Sequence, residues 1–149
     1  MTVEEMLDRE EIRLLLATYN SNGDRGRLEG LAGVFAEDGV LEGGSGFRAA
    51  GHEAIVTTLS SPRGPEDRRH RRPAFMRHHL TTSLITFEDA DTANGRSYYL
   101  VVTDLGPDHS GVYTDLFKRI DGRWRIAHRR SRIDWAADGS HVRATRQAG

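Results

Sequence analysis

The chain has 149 residues, 37% hydrophobic and 29% charged, a composition that suits one soluble globular domain with a real core. A net charge of -1 argues against a nucleic-acid binder, and no apolar run approaches the roughly 20 residues of a membrane span. With no cysteine in the sequence, disulfides and thiolate metal sites are excluded.

The start, Met1-Thr2-Val3-Glu4-Glu5, is acidic and unlike a signal or transit peptide, so a cytoplasmic protein is expected. Thr2 is placed to cap a helix, with Glu5 completing a capping box. Met6, Leu7, Ile12, Leu15, Leu16 and Tyr19 then recur at helical spacing, and Asn22-Gly23 is the expected stop. A shorter helix follows, with Leu28, Leu31, Val34 and Phe35 as its face and Asp24 or a neighbour as its cap. Val40-Leu41-Glu42 reads as a short strand before the turn Gly43-Gly44-Ser45-Gly46. That turn lacks the strand-turn-helix setting and following basic residue of a phosphate cradle. Residues 51–60 read as a third helix carrying Ala54, Ile55 and Leu59.

Residues 61–72 form a charged, proline-containing loop, with Arg63, Arg68, Arg69, Arg71 and Arg72 against Glu66 and Asp67. It reads first as a solvated loop, then as a lid over a pocket, and last as an RNA contact. Beyond it the period changes to two. Strands are predicted over 77–87, 92–103, 110–119 and 123–135, with turns at Asp89-Ala90-Asp91 and Asp121-Gly122. One domain is expected over residues 1–136, followed by a polar, frayed tail over 137–149. Helices followed by long antiparallel strands give an α+β fold, a cone-shaped curved sheet wrapped around the helices and enclosing a pocket.

The candidate chemistry lies at the root of the first long strand, in Met76-Arg77-His78-His79-Leu80. A histidine there is a proton carrier near neutral pH. Strand alternation sends His78 and His79 to opposite faces, which makes the pair a poor metal site; no metal is expected, and His79 is assigned to packing or an interface. Asp24, a carboxylate beside the end of the first helix, would orient His78 if the fold brings the two together. Tyr19, Tyr99 (only one of Tyr98 and Tyr99 can face inward), Tyr113, His128 and Arg130 are the candidate substrate contacts. His128 and Arg130 share parity with Trp124 and Ile126, and an inward arginine suits a carboxylate or enolate oxygen. At least two of Arg129, Arg130 and Arg132 are expected to be solvated or subunit-facing.

The chain resembles the SnoaL-like branch of the nuclear-transport-factor-2-like superfamily. The resemblance rests on Asp8-Arg9-Glu10-Glu11-Ile12, Asp24, Phe35-Ala36-Glu37-Asp38-Gly39-Val40, Gly51-His52-Glu53-Ala54-Ile55, Arg77-His78 with Thr81, Ile120-Asp121-Gly122-Arg123-Trp124-Arg125-Ile126 and Arg132-Ile133-Asp134-Trp135. Scytalone dehydratase and hexachlorocyclohexane dehydrochlorinase belong to this branch and have an Asp-His dyad. Carried over by position, the resemblance implies Asp24 and His78 as catalytic residues. Gly26-Arg27-Leu28 after Asp24 is similar to the dehydrochlorinase. Thr103 stands where the dehydratase has a second histidine, and Gly111 and Tyr113 stand near its polar strand residues, so substrate identity does not carry over.

The resemblance implies a cofactor-independent lyase or isomerase acting on a small organic molecule, of polyketide or aromatic type. A homo-oligomer, dimer or trimer, is expected. The alternative is a non-catalytic binding or structural subunit of the same fold, such as the small subunit of a dioxygenase.

Overall fold

The computed structural model describes residues 1–44, 46–61, 73–140 and 142. The arginine-rich loop from 62 to 72, Ser45 of the glycine turn, and tail positions 141 and 143–149 lie outside the described residues.

Helix α1 spans Val3–Asp24, and Thr2 caps it by accepting the Glu5 N–H at 3.1 Å. The Glu5 carboxylate turns to Arg9 at 2.7 Å, and Arg9 donates across to the Ile85 carbonyl at 2.7 Å. Ile12, Leu15, Leu16 and Tyr19 form the buried stripe, whereas Met6 and Leu7 are exposed. The helix runs past Asn22-Gly23. Gly26, at φ +67°, takes the left-handed geometry that ends it.

Helix α2 is only Leu28–Ala32 and has no side-chain cap. Phe35 instead opens strand β1 (Phe35–Glu42), which pairs with β2 (Arg48–Ala50). Helix α3 spans His52–Ser60. Four long hairpin-linked strands follow: β3 (Met76–Phe87), β4 (Thr92–Thr103), β5 (Gly106–Ile120) and β6 (Arg123–Ala136). Asp121 and Gly122 both have positive φ, 50° and 74°, as a two-residue hairpin requires.

The six strands lie in the order β2-β1-β6-β5-β4-β3. All pairs are antiparallel except β1 with β6. The sheet is curved and unclosed, with the helices on its concave side. Register shifts between Leu80 and Ser83, Val101 and Val102, Ser110 and Gly111, and Leu116 and Phe117 supply the bulges that bend it. The core includes Ile12, Phe35, Ile55, Phe117, Trp124 and Ile126, all at most 1% exposed.

Helix α1 is also pinned across the far hairpin by polar groups. Asp8 accepts from Trp124 Nε1 at 3.0 Å and from Arg119 at 2.6 Å. Glu11 accepts from Arg123 at 3.0 Å and from the Trp124 N–H at 3.3 Å. These contacts fix the rotation of α1, and so the direction in which its last turn presents Asp24. Among the described residues no helix is long and apolar enough to cross a membrane.

Candidate active site

Asp24 is the last residue of α1 and meets the third residue of β3. One carboxylate oxygen lies 2.6 Å from His78 Nδ1, and the other accepts the His78 backbone N–H at 3.0 Å. An ionised carboxylate only accepts, so Nδ1 carries the proton and Nε2 is left as the ring's acceptor. The side chains of His78 and Asp24 are 17% and 10% exposed. Burial raises the Asp24 carboxyl. The hydrogen bonds from the His78 side chain and backbone, with the charges of His78 and Arg77, outweigh it and hold the group below its ordinary value. Asp24 is therefore an anion throughout the neutral range. The capping role expected of it at α2 is absent: Arg27 holds that position.

The pair stands on the wall of a cleft of about 550 Å³ between α1 and β3, within the size range of small-molecule sites. Leu16, Asn20 and Asp24 line it from the helix, and His78, Leu80 and Ser83 from the strand. Arg13, Arg25 and Arg77 complete its cationic rim. The bulge in β3 after Leu80 brings Ser83 back to the cleft side, which strict alternation would not do.

The three expected tyrosines pack together beside this cleft and do not line it. Tyr99 stacks on Tyr113 with ring centroids 4.4 Å apart, and Tyr19 meets Tyr113 edge-on at 6.0 Å. Tyr99 donates to the Arg132 carbonyl at 3.1 Å, and its hydroxyl fills the space over Gly111, where a Cβ would lie 2.6 Å from it. Burial pushes the Tyr99 phenol up and the Tyr113 phenol far up, so both stay protonated. Tyr98 is outward and exposed, and so is His79, which therefore takes no part in core packing.

His128 and Arg130 need correction. They do not share a face with Trp124 and Ile126, because β6 carries a bulge at Ala127. Ile126 pairs with Phe117, while His128 pairs with the adjacent Leu116. One extra residue inverts the parity beyond it. His128 and Arg130 consequently turn to Glu42, at 3.4 and 2.9 Å, with side chains 37% and 67% exposed.

The inward arginine is Arg129. Fully buried, it makes two 2.8 Å hydrogen bonds to Asp115, and its guanidinium lies 4.2 and 4.3 Å from the Tyr19 and Tyr113 rings. Burial pulls its pKa down, but the Asp115 charge and hydrogen bonds leave it raised. Its NH1 has no hydrogen-bond partner.

Sequence reading also missed a second imidazole–carboxylate pair. His109 Nδ1 lies 2.6 Å from Asp108, and the His109 ring is 6.3 Å from that of His78 and 6.0 Å from that of Tyr99. The available signal was the Asp108-His109 dipeptide itself, but its geometry depends on a bulge between Pro107 and His109. Thr103 ends β4, and its hydroxyl accepts the Leu105 N–H of the following turn at 3.2 Å. Among the described residues no group of three or more histidines and acidic side chains is placed to hold a metal ion.

Solved structures of similar shape include enzymes. A candidate scytalone dehydratase from Novosphingobium aromaticivorans is 25% identical, over 100% of this chain and 98% of its own, with a TM-score of 0.80. A variant of Rv3472, a Mycobacterium tuberculosis protein of unknown function, is 32% identical, over 94% of this chain and 79% of its own, with a TM-score of 0.72. Hexachlorocyclohexane dehydrochlorinase LinA type 3 from Novosphingobium barchaimii shares the fold at 20% identity, over 95% of this chain and 97% of its own, with a TM-score of 0.76. No curated protein sequence matches. A model of the SnoaL-like domain matches residues 4–130, and the chain belongs to that family.

Proposed function

We propose that the chain is a lyase or isomerase that removes a carbon-bound proton from a small organic molecule, with His78 as the base and Asp24 as its orienter. The observation that carries this reading is the 2.6 Å contact between Asp24 and His78 Nδ1 on the wall of the cleft. The contact fixes the tautomer that leaves Nε2 able to accept a proton. The anionic Asp24 then stabilises the imidazolium that forms. Loss of a leaving group from the adjacent carbon gives elimination; return of the proton to another carbon gives isomerisation. Imidazole and carboxylate suffice for either, so the reading calls on no organic cofactor. The likeness to a candidate dehydratase and a dehydrochlorinase supports the reaction class, and the substrate itself is not carried over.

The reading includes a homo-oligomer, dimer or trimer. Leu84, Tyr98 and Trp135 stand 63%, 44% and 47% exposed, and light scattering of the full chain reads the state directly. The catalytic test is a panel of β-hydroxy and β-halo carbonyl compounds in deuterated water, followed by proton NMR. Exchange or loss of the α-proton is expected with the wild type. His78→Ala should slow it about 10²–10⁴-fold, and Asp24→Asn should slow it by less. Unchanged rates in both variants would remove the pair from the mechanism.

A further inference from the structure

The chain has a net charge of -1, yet the cleft is ringed by three guanidiniums against one carboxylate. Arg13, Arg25 and Arg77 line it, and Asp24 is already committed to His78. Arg13 has a carboxylate near it, Glu10 at 3.8 Å. Among the described residues Arg25 and Arg77 form no ion pair; Arg77 donates to the Met76 carbonyl at 2.7 Å and lies over the Phe75 ring, 5.4 Å from its centroid. Both line the cleft beside the dyad: Arg25 follows Asp24 in the chain, and the Arg77 charge acts on the Asp24 carboxylate. Arg13 lies about 16 Å away along the helix axis at 1.5 Å per residue. Unpaired guanidiniums at the mouth of a partly desolvated cleft favour an anion and match the two oxygens of a carboxylate.

A second observation comes from Asn20, one turn before Asp24 on the same stripe of α1. It is 6% exposed and lines the cleft. Its Nδ2 donates to the Leu16 carbonyl at 3.3 Å, while Oδ1 has no partner. A buried acceptor left empty costs free energy, and a hydroxyl donor entering the cleft would satisfy it.

We infer that the cleft takes a hydroxylated carboxylic acid, whose carboxylate is held by Arg25 and Arg77 and whose hydroxyl donates to Asn20 Oδ1. The carboxylate is a handle held beside the dyad. Its binding energy holds the C–H against His78 Nε2. This deepens the proposed lyase or isomerase reading and rests on it for the role of His78.

Binding tests the inference without turnover. Mandelate, its neutral amide and phenylacetate, which lacks the hydroxyl, are titrated against the full chain by NMR at neutral pH. Mandelate should bind roughly tenfold more tightly than the amide and several-fold more tightly than phenylacetate. Arg25→Gln with Arg77→Gln should erase the first preference, and Arg13→Gln should leave it. Asn20→Ala, checked against the space-filling Asn20→Leu, should erase the second. Equal binding of acid and amide, no binding of any probe at millimolar concentration, or an acid preference lost with Arg13 alone would overturn the assignment of the carboxylate. A hydroxyl preference surviving both Asn20 variants would overturn that of the hydroxyl. If mandelate binds as expected but proton exchange is indifferent to His78→Ala, the catalytic reading fails by itself.

Discussion

Asp115 and Arg129 meet in full burial through two 2.8 Å hydrogen bonds, while Asp24 and His78 meet at 2.6 Å on the wall of an open cleft. Both are contacts between a carboxylate and a basic side chain on the concave side of one sheet. They differ in what can change. Arginine does not lose its proton in a protein, and the raised pKa of Arg129 makes that firmer, so the buried pair is a fixed charge arrangement. Histidine exchanges a proton near neutral pH, and the cleft gives it access to a ligand. A carboxylate with a permanent partner inside the core specifies structure; one with a titratable partner at a cavity wall is suited to chemistry.

The buried pair should give the largest effect on stability. Arg129→Met leaves Asp115 as an uncompensated buried charge, and the expected cost is about 3–5 kcal/mol, read by denaturant unfolding. Adding Asp115→Leu removes the stranded charge and should recover most of the loss, because paired burial contributes little net stability. A double variant as unstable as the single one would mean that the Tyr19–Arg129–Tyr113 stack, not the ion pair, holds this part of the core.

Asp24→Asn should cost less, about 1–2 kcal/mol, and should depend on pH. The folded pKa of Asp24 lies below its ordinary value of 3.8. The folded state therefore binds fewer protons there than the unfolded one, and stability rises with pH across that window. The contribution is complete above the unfolded value and lost as pH falls through the lowered folded one. The gap between wild type and Asp24→Asn should close below about pH 4. A gap of the same size at all pH values would mean that Asp24 acts through geometry alone.

The contrast between the pairs also marks what sequence could reveal. Asp24 and His78 lie at element ends and stand out as residue types, but their pairing was implied by the family resemblance, because no local spacing joins positions 54 apart in the chain. The long strands were legible from spacing: their alternation starts and stops at turn residues such as Asp121-Gly122. Arg129 was not legible. Parity counted from Trp124 and Ile126 pointed to His128 and Arg130, and the bulge at Ala127 reversed it. A bulge is set by how two strands pair, and neither strand's residues announce it. The same holds for Ser83, returned to the cleft by the bulge after Leu80, and for the Asp108–His109 contact. The cleft's arginine rim was hidden differently, since Arg13, Arg25 and Arg77 converge only once α1 lies along β3.

Tyr99 bridges the two regions, and its hydroxyl gives the smallest and most discriminating prediction. Its ring lies 6.2 Å from His78 on one side and 4.4 Å from Tyr113 on the other, while its hydroxyl donates to the Arg132 carbonyl. Tyr99→Phe keeps the ring and its stacking and removes the hydroxyl's contacts with the Arg132 carbonyl and the Ser131 hydroxyl, so stability should fall by about 1 kcal/mol. Because the hydroxyl faces β6 and not the cleft, turnover measured well below the melting temperature should be unchanged. If proton exchange instead fell tenfold at equal folded fraction, the hydroxyl would have to reach the ligand. The tyrosine stack would then belong to the cleft and its chemistry, and the division between a fixed core pair and a working cleft pair would have to be redrawn on the far side of Tyr99.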